Sequence, residues 1–535
     1  MGEEDIPSED FMRALLISII IILTISPAMP GGPVTTAQVA PEVWADTANG
    51  AAGDFLVILR SQADLTVQAA APAAAQRDEQ VFESLQQAAD TSQPGLAADL
   101  QAQHIQFRAY WIVNLLAVHG DQTLVSYLAA RPEVEYIEPD RPFKVNLETP
   151  EAAPTALPPP LSQPYHAASL PPTGGLPLTA GLTPEWNLLT VHAPDVWSQG
   201  FTGKGIVYGN SDTGVQWNHP ALIDEYRGWN GTAADHNYNW WDAIHASDNW
   251  GLITNKCGFD LQVPCDDYGH GTHTTGIGVG SGDGVNAIGV APGAKWIACR
   301  NMNGGVGRPS TYIECLQFFM APTDLSGKNP DPSKHADVIS NSYDCPPSEG
   351  CGPHSLAAAV QAVRAAGIFM SVSAGNAGSG CSSISTPPGL ESAVFTVGNT
   401  DQSNTIAPSS SRGPVTIDGS NLAKPNLVAP GTSVYSSWSD SSYATETGTS
   451  MSAPHVAGAV ALLWSAFRGL KNNVSATELL LETTAQQKTS SQGCGGDSAT
   501  AVPNNVYGYG LLNIKAAYDL ALSKLRKVYL PVINK

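Results

Sequence analysis

Three features of the chain predict an α/β fold, a three-layer sandwich with a mainly parallel central sheet, preceded by a small α+β domain. Buried-strand patterns at 205–211, 295–299, 336–342, 368–373 and 394–397 alternate with helical stretches. Strands joined by helical crossovers form parallel sheets covered on both faces. An apolar run at 459–464, with its lead-in from Ser450, is long enough for a helix buried in such a sandwich. Residues 54–145 carry the order strand, helix, strand, helix, strand on a smaller scale, the pattern of an open-faced, ferredoxin-like sandwich.

At 535 residues the chain should hold two or three folded units. Its formal net charge of -22 argues against nucleic acid or an anionic membrane as partner and favours a soluble, self-repelling protein. The eight cysteines all lie between Cys257 and Cys494, and an even number behind a secretory leader suggests disulfides. Cys257/Cys265 and Cys345/Cys351 are near enough to close small loops. Cys299/Cys315 and Cys381/Cys494 would then remain, although connectivity is not readable from sequence. Zinc is the rival use, but the chain has no Cys-x-x-Cys and no histidine at ligand spacing.

Taken in order, residues 14–25 are an apolar run after Arg13, with small residues at Ser26, Ala28, Thr35 and Ala37. Residues 1–28 are therefore expected to be a signal peptide, with cleavage there or as late as 37–40; an uncleaved anchor is the competing reading. The acidic opening is foreign to such a leader, so Met12 competes with Met1 as the start. In the small unit, 55–60 reads as a strand. Residues 76–89 read as a helix with Val81, Leu85 and Ala88 on one face, and 110–118 as a second strand. Asp121 caps a helix carrying Leu124, Val125 and Leu128, and 134–138 alternates as a strand. One further strand fits, and no catalytic cluster appears in this unit. Residues 146–182 are a Pro-rich linker, extended and open to proteolysis. The main body spans 183–522. Its helix at 356–366 ends at Gly367, a C′ glycine. The tail 523–535 is short, basic and mildly apolar, too short to cross a bilayer.

In open α/β sheets the site lies beyond the carboxyl ends of the strands. Asp212 and Asn376 both follow predicted strands, which places them on one rim. Ser450 stands where the apolar helix should begin, with Pro454 in its first turn. Unpaired backbone N–H groups and the positive end of the helix dipole suit developing negative charge there. Alone, Ser450 reads as an N-cap and His270, flanked by glycines, as a structural histidine. Together, a serine at a helix start, a histidine at a Gly-rich turn and an aspartate ending a strand are the parts of nucleophilic acyl transfer.

The segments Asp212-Thr-Gly, His270-Gly-Thr-His273, Ala374-Gly-Asn376 and Gly448-Thr-Ser450-Met-Ser-Ala-Pro454, in that order, resemble the four signature segments of subtilisin-like serine proteases (subtilases). The likeness covers roughly 183–522. Tyr226-Arg-Gly-Trp-Asn230 and Asn239-Trp-Trp-Asp-Ala243 are similar to the branch that contains bacillopeptidase F, and 54–145 resembles the inhibitor-type propeptide of the family. The resemblance implies a secreted serine endopeptidase made as a self-processed zymogen. In it Ser450 is the nucleophile, His270 the base and Asp212 its orienting partner, with Asn376 and the Ser450 N–H forming the oxyanion hole. Gly304, Gly305, Ser342, Tyr343 and Asp344 would pair with an extended substrate. Ala374 and Gly375, with Ser385-Thr386, would line a P1 pocket without buried charge, so broad cleavage after apolar or medium-sized residues is expected. Asp344, where many relatives have glycine, suits a nearby basic substrate residue. His273, His455 and Ser452 fall to scaffold roles, and Met451 to an oxidation-prone place behind the nucleophile. No cofactor is required for the chemistry. A structural calcium is implied at Asp283, weakened because Ala221 replaces the partner aspartate. The expected partners are protein and peptide substrates and the chain's own propeptide as intramolecular inhibitor. The mature form should be a monomer, not membrane-bound. Two other readings compete: a catalytically silent subtilase-fold binding or adhesion protein, and a narrow processing protease whose cleft is narrowed by the insertion between Asp212 and His270.

Overall fold

The computed structural model describes residues 36–66, 77–144, 181–248, 255–352 and 355–529. The expected signal peptide, the linker up to residue 180 and the end of the tail lie outside the described residues.

The small domain holds β1 (Gln38–Val39), β2 (Ala52–Leu59), α1 (Arg77–Ala102), β3 (Phe107–Tyr110), β4 (Leu115–Asp121), α2 (Gln122–Ala129), β5 (Val134–Pro139) and β6 (Phe143–Lys144). Its five-stranded sheet runs β1-β5-β2-β4-β3. Strand β1 pairs with β5, so the later of the two expected leader cuts would fall inside this sheet. The two-residue period of β2 sets its faces. Phe55, Val57 and Leu59 bury against Leu96, Leu100, Leu124 and Leu128 of the helices, while Leu56 turns to the main body. Asp121 caps α2 by accepting from the Thr123 and Leu124 amides, both at 3.0 Å. The expected single strand at 110–118 is instead a hairpin, β3 and β4. Asn114 fixes the turn by donating to the Ser61 carbonyl and the Ser92 hydroxyl, both at 2.6 Å.

The main body contains β7 (Val207–Asp212), β8 (Trp240–Asp242), α3 (His270–Val279), β9 (Lys295–Arg300), β10 (Val306–Gly307), α4 (Pro309–Met320), β11 (Val338–Asn341), α5 (Ala357–Ala365), β12 (Phe369–Ser373), β13 (Phe395–Thr400), β14 (Leu427–Pro430), β15 (Val434–Trp438), β16 (Ser442–Glu446), α6 (Thr449–Ala466), α7 (Val474–Thr484) and α8 (Ile514–Tyr529). Seven parallel strands form the sheet β14-β13-β12-β11-β7-β9-β8. On one face Val456, Val460 and Leu463 of α6 meet Phe369, Phe395 and Leu427. On the other, Leu316 and Phe319 of α4 and Val360 and Val363 of α5 meet Ile297, Ile339 and Val372. The chain leaves β7 toward β9 on one side and later reaches β11 on the other. The switch point is therefore at the carboxyl end of β7, where Asp212 stands.

All eight cysteines pair, as Cys257–Cys265, Cys299–Cys315, Cys345–Cys351 and Cys381–Cys494, which removes the zinc alternative. The first half of the expected tail continues α8. Among the described residues no helix is long and apolar enough to cross a membrane.

Two expectations for α6 change. The helix starts at Thr449 behind Gly448, so Ser450 is its second residue and not its N-cap. Pro454 sits beyond the first turn. Its missing N–H leaves the Ser450 carbonyl without the usual helical donor, and Ser342 Oγ supplies one at 2.8 Å.

The second face of the small sheet rests on α4 and α5. Tyr110, Ile112, Val113 and Leu115 join the core formed by those helices. Tyr110 donates to Glu314 at 3.0 Å, and the Trp111 amide to Gln317 at 2.8 Å. Asp140 accepts from the Ser310 amide at 2.9 Å, at the start of α4, where the helix dipole favours a carboxylate. Arg108 pairs with Asp248 and Glu314, and Glu314 also meets His245 at 2.8 Å. Burial works against the charges here, yet His245 and Arg108 hold Glu314 down at about 2, and Glu314 lifts His245 to about 9. Asp248 and His245 belong to the insertion between Asp212 and His270. Part of that insertion thus forms a seat for the small domain.

Candidate active site

Asp212 ends β7, where the Thr213 amide donates to Oδ1 at 2.7 Å and Thr274 Oγ1 to Oδ2 at 3.1 Å. His270 opens α3. Gly269 before it has φ +109°, and a Cβ there would come within 2.3 Å of the Trp438 ring, so only glycine fits. Asp266 caps this helix, accepting from the Gly269 amide at 2.8 Å and the Thr272 amide at 2.9 Å. It also accepts from Thr213 Oγ1 at 2.8 Å, tying the start of α3 to the turn after β7. The result is a fully buried contact of 2.8 Å between His270 Nδ1 and Asp212 Oδ1.

Strand β11 lies beside β7 with Asn341 against Ser211, so Ser342 neighbours Asp212. Ser342 holds Ser450 from both sides. Its hydroxyl donates to the Ser450 carbonyl, and Ser450 Oγ donates to the Ser342 carbonyl at 3.2 Å. Asn376 Oδ1 accepts from the Thr449 amide and from Thr449 Oγ1, both at 3.0 Å. With its oxygen fixed there, the Nδ2 end is the one turned away from Thr449. The structure therefore brings Asp212 to His270 and Asn376 to the helix start that carries Ser450, on one rim of one sheet.

Strand β10 is paired, but with the chain's own β6, in antiparallel register Val306↔Lys144 and Gly307↔Phe143. Gly304 N donates to Asp267 at 2.9 Å, and Asp267 is held by the buried Arg300. Gly305, with φ +84°, continues this turn. Of the facing segment, Tyr343 is buried and stacks on Tyr312 with centroids 4.2 Å apart, so its ring is not available to a substrate and only its backbone can serve. Asp344 accepts from Thr386 at 3.2 Å. Ala374 sits in an apolar cluster with Ile384, Leu390 and Val415, and Gly375 follows with φ +92°.

The Subtilase family profile matches residues 203–510. This chain belongs to the subtilase family. It is 34% identical over 467 residues to bacillopeptidase F of Bacillus subtilis (strain 168), covering 84% of this chain but 29% of that protein. It is 29% identical over 345 residues to subtilisin Savinase of Lederbergia lenta, covering 62% of this chain and 97% of that one. With subtilisin DY of Bacillus licheniformis it shares 29% identity over 337 residues, 63% of this chain and 98% of the other. The chain thus spans less than a third of bacillopeptidase F but almost the whole of the two subtilisins.

The remaining histidines of the subtilase motifs hold backbone. His273 Nε2 meets the Val434 and Ala444 carbonyls at 3.1 Å. His455 Nδ1 donates to the Met451 carbonyl at 2.8 Å, so its Nε2 accepts from Asn187 Nδ2 at 2.8 Å. Burial pushes His273 down to about 3, helped by the nearby His270, and His455 down to about 4. Both are neutral in the fold and titrate near 6.5 when unfolded. The stability they contribute is full above about pH 6.5 and is lost as pH falls toward about 4 and then about 3. Thermal midpoints should fall across that window; midpoints flat from pH 7 to pH 4 would contradict it. Ser452 donates to the Ala429 carbonyl at 3.0 Å, and Met451 is buried beside Ile277 and Val434.

The residues do not fit the implied calcium site. Asp283 accepts from the Val285 amide, the Asn286 amide and side chain, and Tyr435, so its carboxylate is filled by its own surroundings. The Ala221 carbonyl takes Ser281 N and Oγ. Among the described residues no group of three His, Cys, Asp or Glu could hold a metal ion. Sequence reasoning missed Asp266 and Thr449. An aspartate shortly before a predicted helix is an N-cap signal that could have found the first.

Proposed function

We propose that the chain is the precursor of a secreted serine endopeptidase whose catalytic residues are Asp212, His270 and Ser450. Ser450 Oγ attacks the substrate carbonyl while His270 Nε2 takes its proton. Asp212, against Nδ1, fixes the tautomer and stabilises the imidazolium. Asn376 Nδ2 and the Ser450 N–H receive the oxyanion. His270 then returns the proton to the leaving amine, and water, activated the same way, releases the acyl group from Ser450. No cofactor enters these steps. The observation that carries the reading is the buried 2.8 Å pairing of His270 with Asp212, since an acyl-transfer base needs that partner on its far nitrogen. The apolar cluster around Ala374 supports broad cleavage after apolar or medium-sized residues. The test is wild type beside Ser450→Ala: equal processing of the chain and equal casein turnover would overturn the reading.

The small domain is, in this reading, the intramolecular inhibitor, and the mature enzyme is a monomer acting on protein and peptide substrates. The support is that β6 lies along β10, the edge a substrate should use. Arg108→Glu puts an anion beside Glu314 and Asp248. It is expected to shorten the lag before activity appears by roughly tenfold or more, because one partner of a buried ion pair is then unmatched. An unchanged lag would show that this pairing does not hold the inhibitor.

A further inference from the structure

Strand β9 ends at Arg300, whose register neighbours are Asp212 on one side and Asp242 on the other. Arg300 is fully buried, and the proposed chemical steps give it no role. Its planar fork can serve several acceptors at once. Nη1 donates to the Gly258 carbonyl at 3.0 Å and faces both oxygens of Asp242 at 3.4 Å. Nη2 donates to Asn255 Oδ1 at 3.0 Å, to Asp267 Oδ2, and to Asn303 Oδ1 at 3.4 Å. Asp242, Asn255, Gly258 and Asp267 all belong to the insertion between Asp212 and His270. The Cys257–Cys265 disulfide closes the loop that carries Gly258.

Two of these bonds lead to the entry of β10. Asn303 closes a turn with Val306: its N–H donates to the Val306 carbonyl at 2.7 Å, and its carbonyl accepts from the Val306 N–H at 3.0 Å. Gly304 and Gly305 cross that turn with φ +56° and +84°, and neither has a side chain to anchor it. The Gly304 N–H donates to Asp267 Oδ1 at 2.9 Å. Arg300 thus grips the turn twice, directly at the Asn303 side chain and through Asp267 at the Gly304 amide. Its stem lies beside Gly214, where a Cβ would stand 3.4 Å from Arg300 Cδ, and the next residue, Asn301, donates its N–H to the Asp212 carbonyl at 2.9 Å. One side chain therefore meets the turn after Asp212, the lead-in to His270 and the entry to the proposed substrate edge. We propose that Arg300 is a positioning residue for that edge, and that the insertion acts through it as a brace fixing where β10 lies relative to Asp212 and His270. Arg300 touches no reacting atom. None of its named partners leaves with the small domain. This inference rests on the protease reading above.

The test compares two anilide substrates on the processed enzyme, wild type beside Arg300→Met. One is a single acylated residue, too short to reach β10. The other ends in the same residue but extends upstream along that edge. Wild type should favour the longer substrate in kcat/KM. In Arg300→Met that preference should shrink by roughly tenfold, the worth of one or two main-chain hydrogen bonds, with the loss mainly in the KM of the longer substrate. A residue that only holds the fold would lower both substrates alike. Asp267→Ala, which cuts the tie to Gly304 without emptying the end of β9, should shrink the preference in the same direction and carries the test if Arg300→Met does not fold. No preference for the longer substrate in wild type overturns the proposal, as does a preference kept at its wild-type size in Arg300→Met or, where that variant does not fold, in Asp267→Ala. Failure of the underlying reading looks different: neither substrate is turned over by wild type, or turnover survives Ser450→Ala.

Discussion

Replacing Ser450 by alanine is expected to lower peptide hydrolysis by about 10⁶-fold and to leave the chain uncut. The size follows from the division of labour proposed for the site. Without Oγ no acyl-enzyme forms, and His270 and Asp212 have no nucleophile to activate, so the loss is that of the whole unit. The fold should persist. The bond from Ser342 Oγ that satisfies the carbonyl orphaned by Pro454 goes to backbone and survives the substitution. The check is single-site kinetics on a peptide amide together with the size of the purified chain. Activity within about tenfold of wild type would mean that Ser450 is not the nucleophile.

Asn376→Ala is expected to reduce kcat by about 10²- to 10³-fold with little change in KM. The side-chain oxygen is clamped by the amide and hydroxyl of Thr449, so the amide nitrogen is left to act where charge appears on the substrate oxygen. A donor aimed at the oxyanion and not at the ground-state carbonyl acts on kcat. Removing only the hydroxyl clamp, as in Thr449→Val, should give a smaller loss of the same kind. A raised KM with kcat intact would instead make Asn376 a substrate-binding residue.

The parts of this molecule legible in its sequence are those where chemistry or a short-range rule restricts the residue. Asp212 and Asn376 stand at or just after strand ends and His270 and Ser450 at helix starts, where the proposed acyl transfer needs those groups and few others serve. The Asp121 cap and the alternating faces of β2 are equally local. What escaped was settled by distant partners. Pro454 is tolerated deep in α6 because Ser342, 108 residues before Ser450, supplies the missing donor. Strand β8 is three residues long and exists because β9 offers an edge to pair with. The run at 110–118 is apolar throughout, yet it turns because Asn114 finds Ser61 and Ser92. Tyr343 was expected at the substrate edge but is drawn under it by the Tyr312 ring.

The most direct measurement is covalent labelling of the processed enzyme with a sulfonyl fluoride, read by peptide mass spectrometry. Ser450 Oγ should displace fluoride and carry the single adduct, and His270→Ala should abolish the labelling while the fold is kept. A chain that takes no label at Ser450, or takes it equally well without His270, would contradict the claim that Asp212 and His270 make Ser450 a nucleophile.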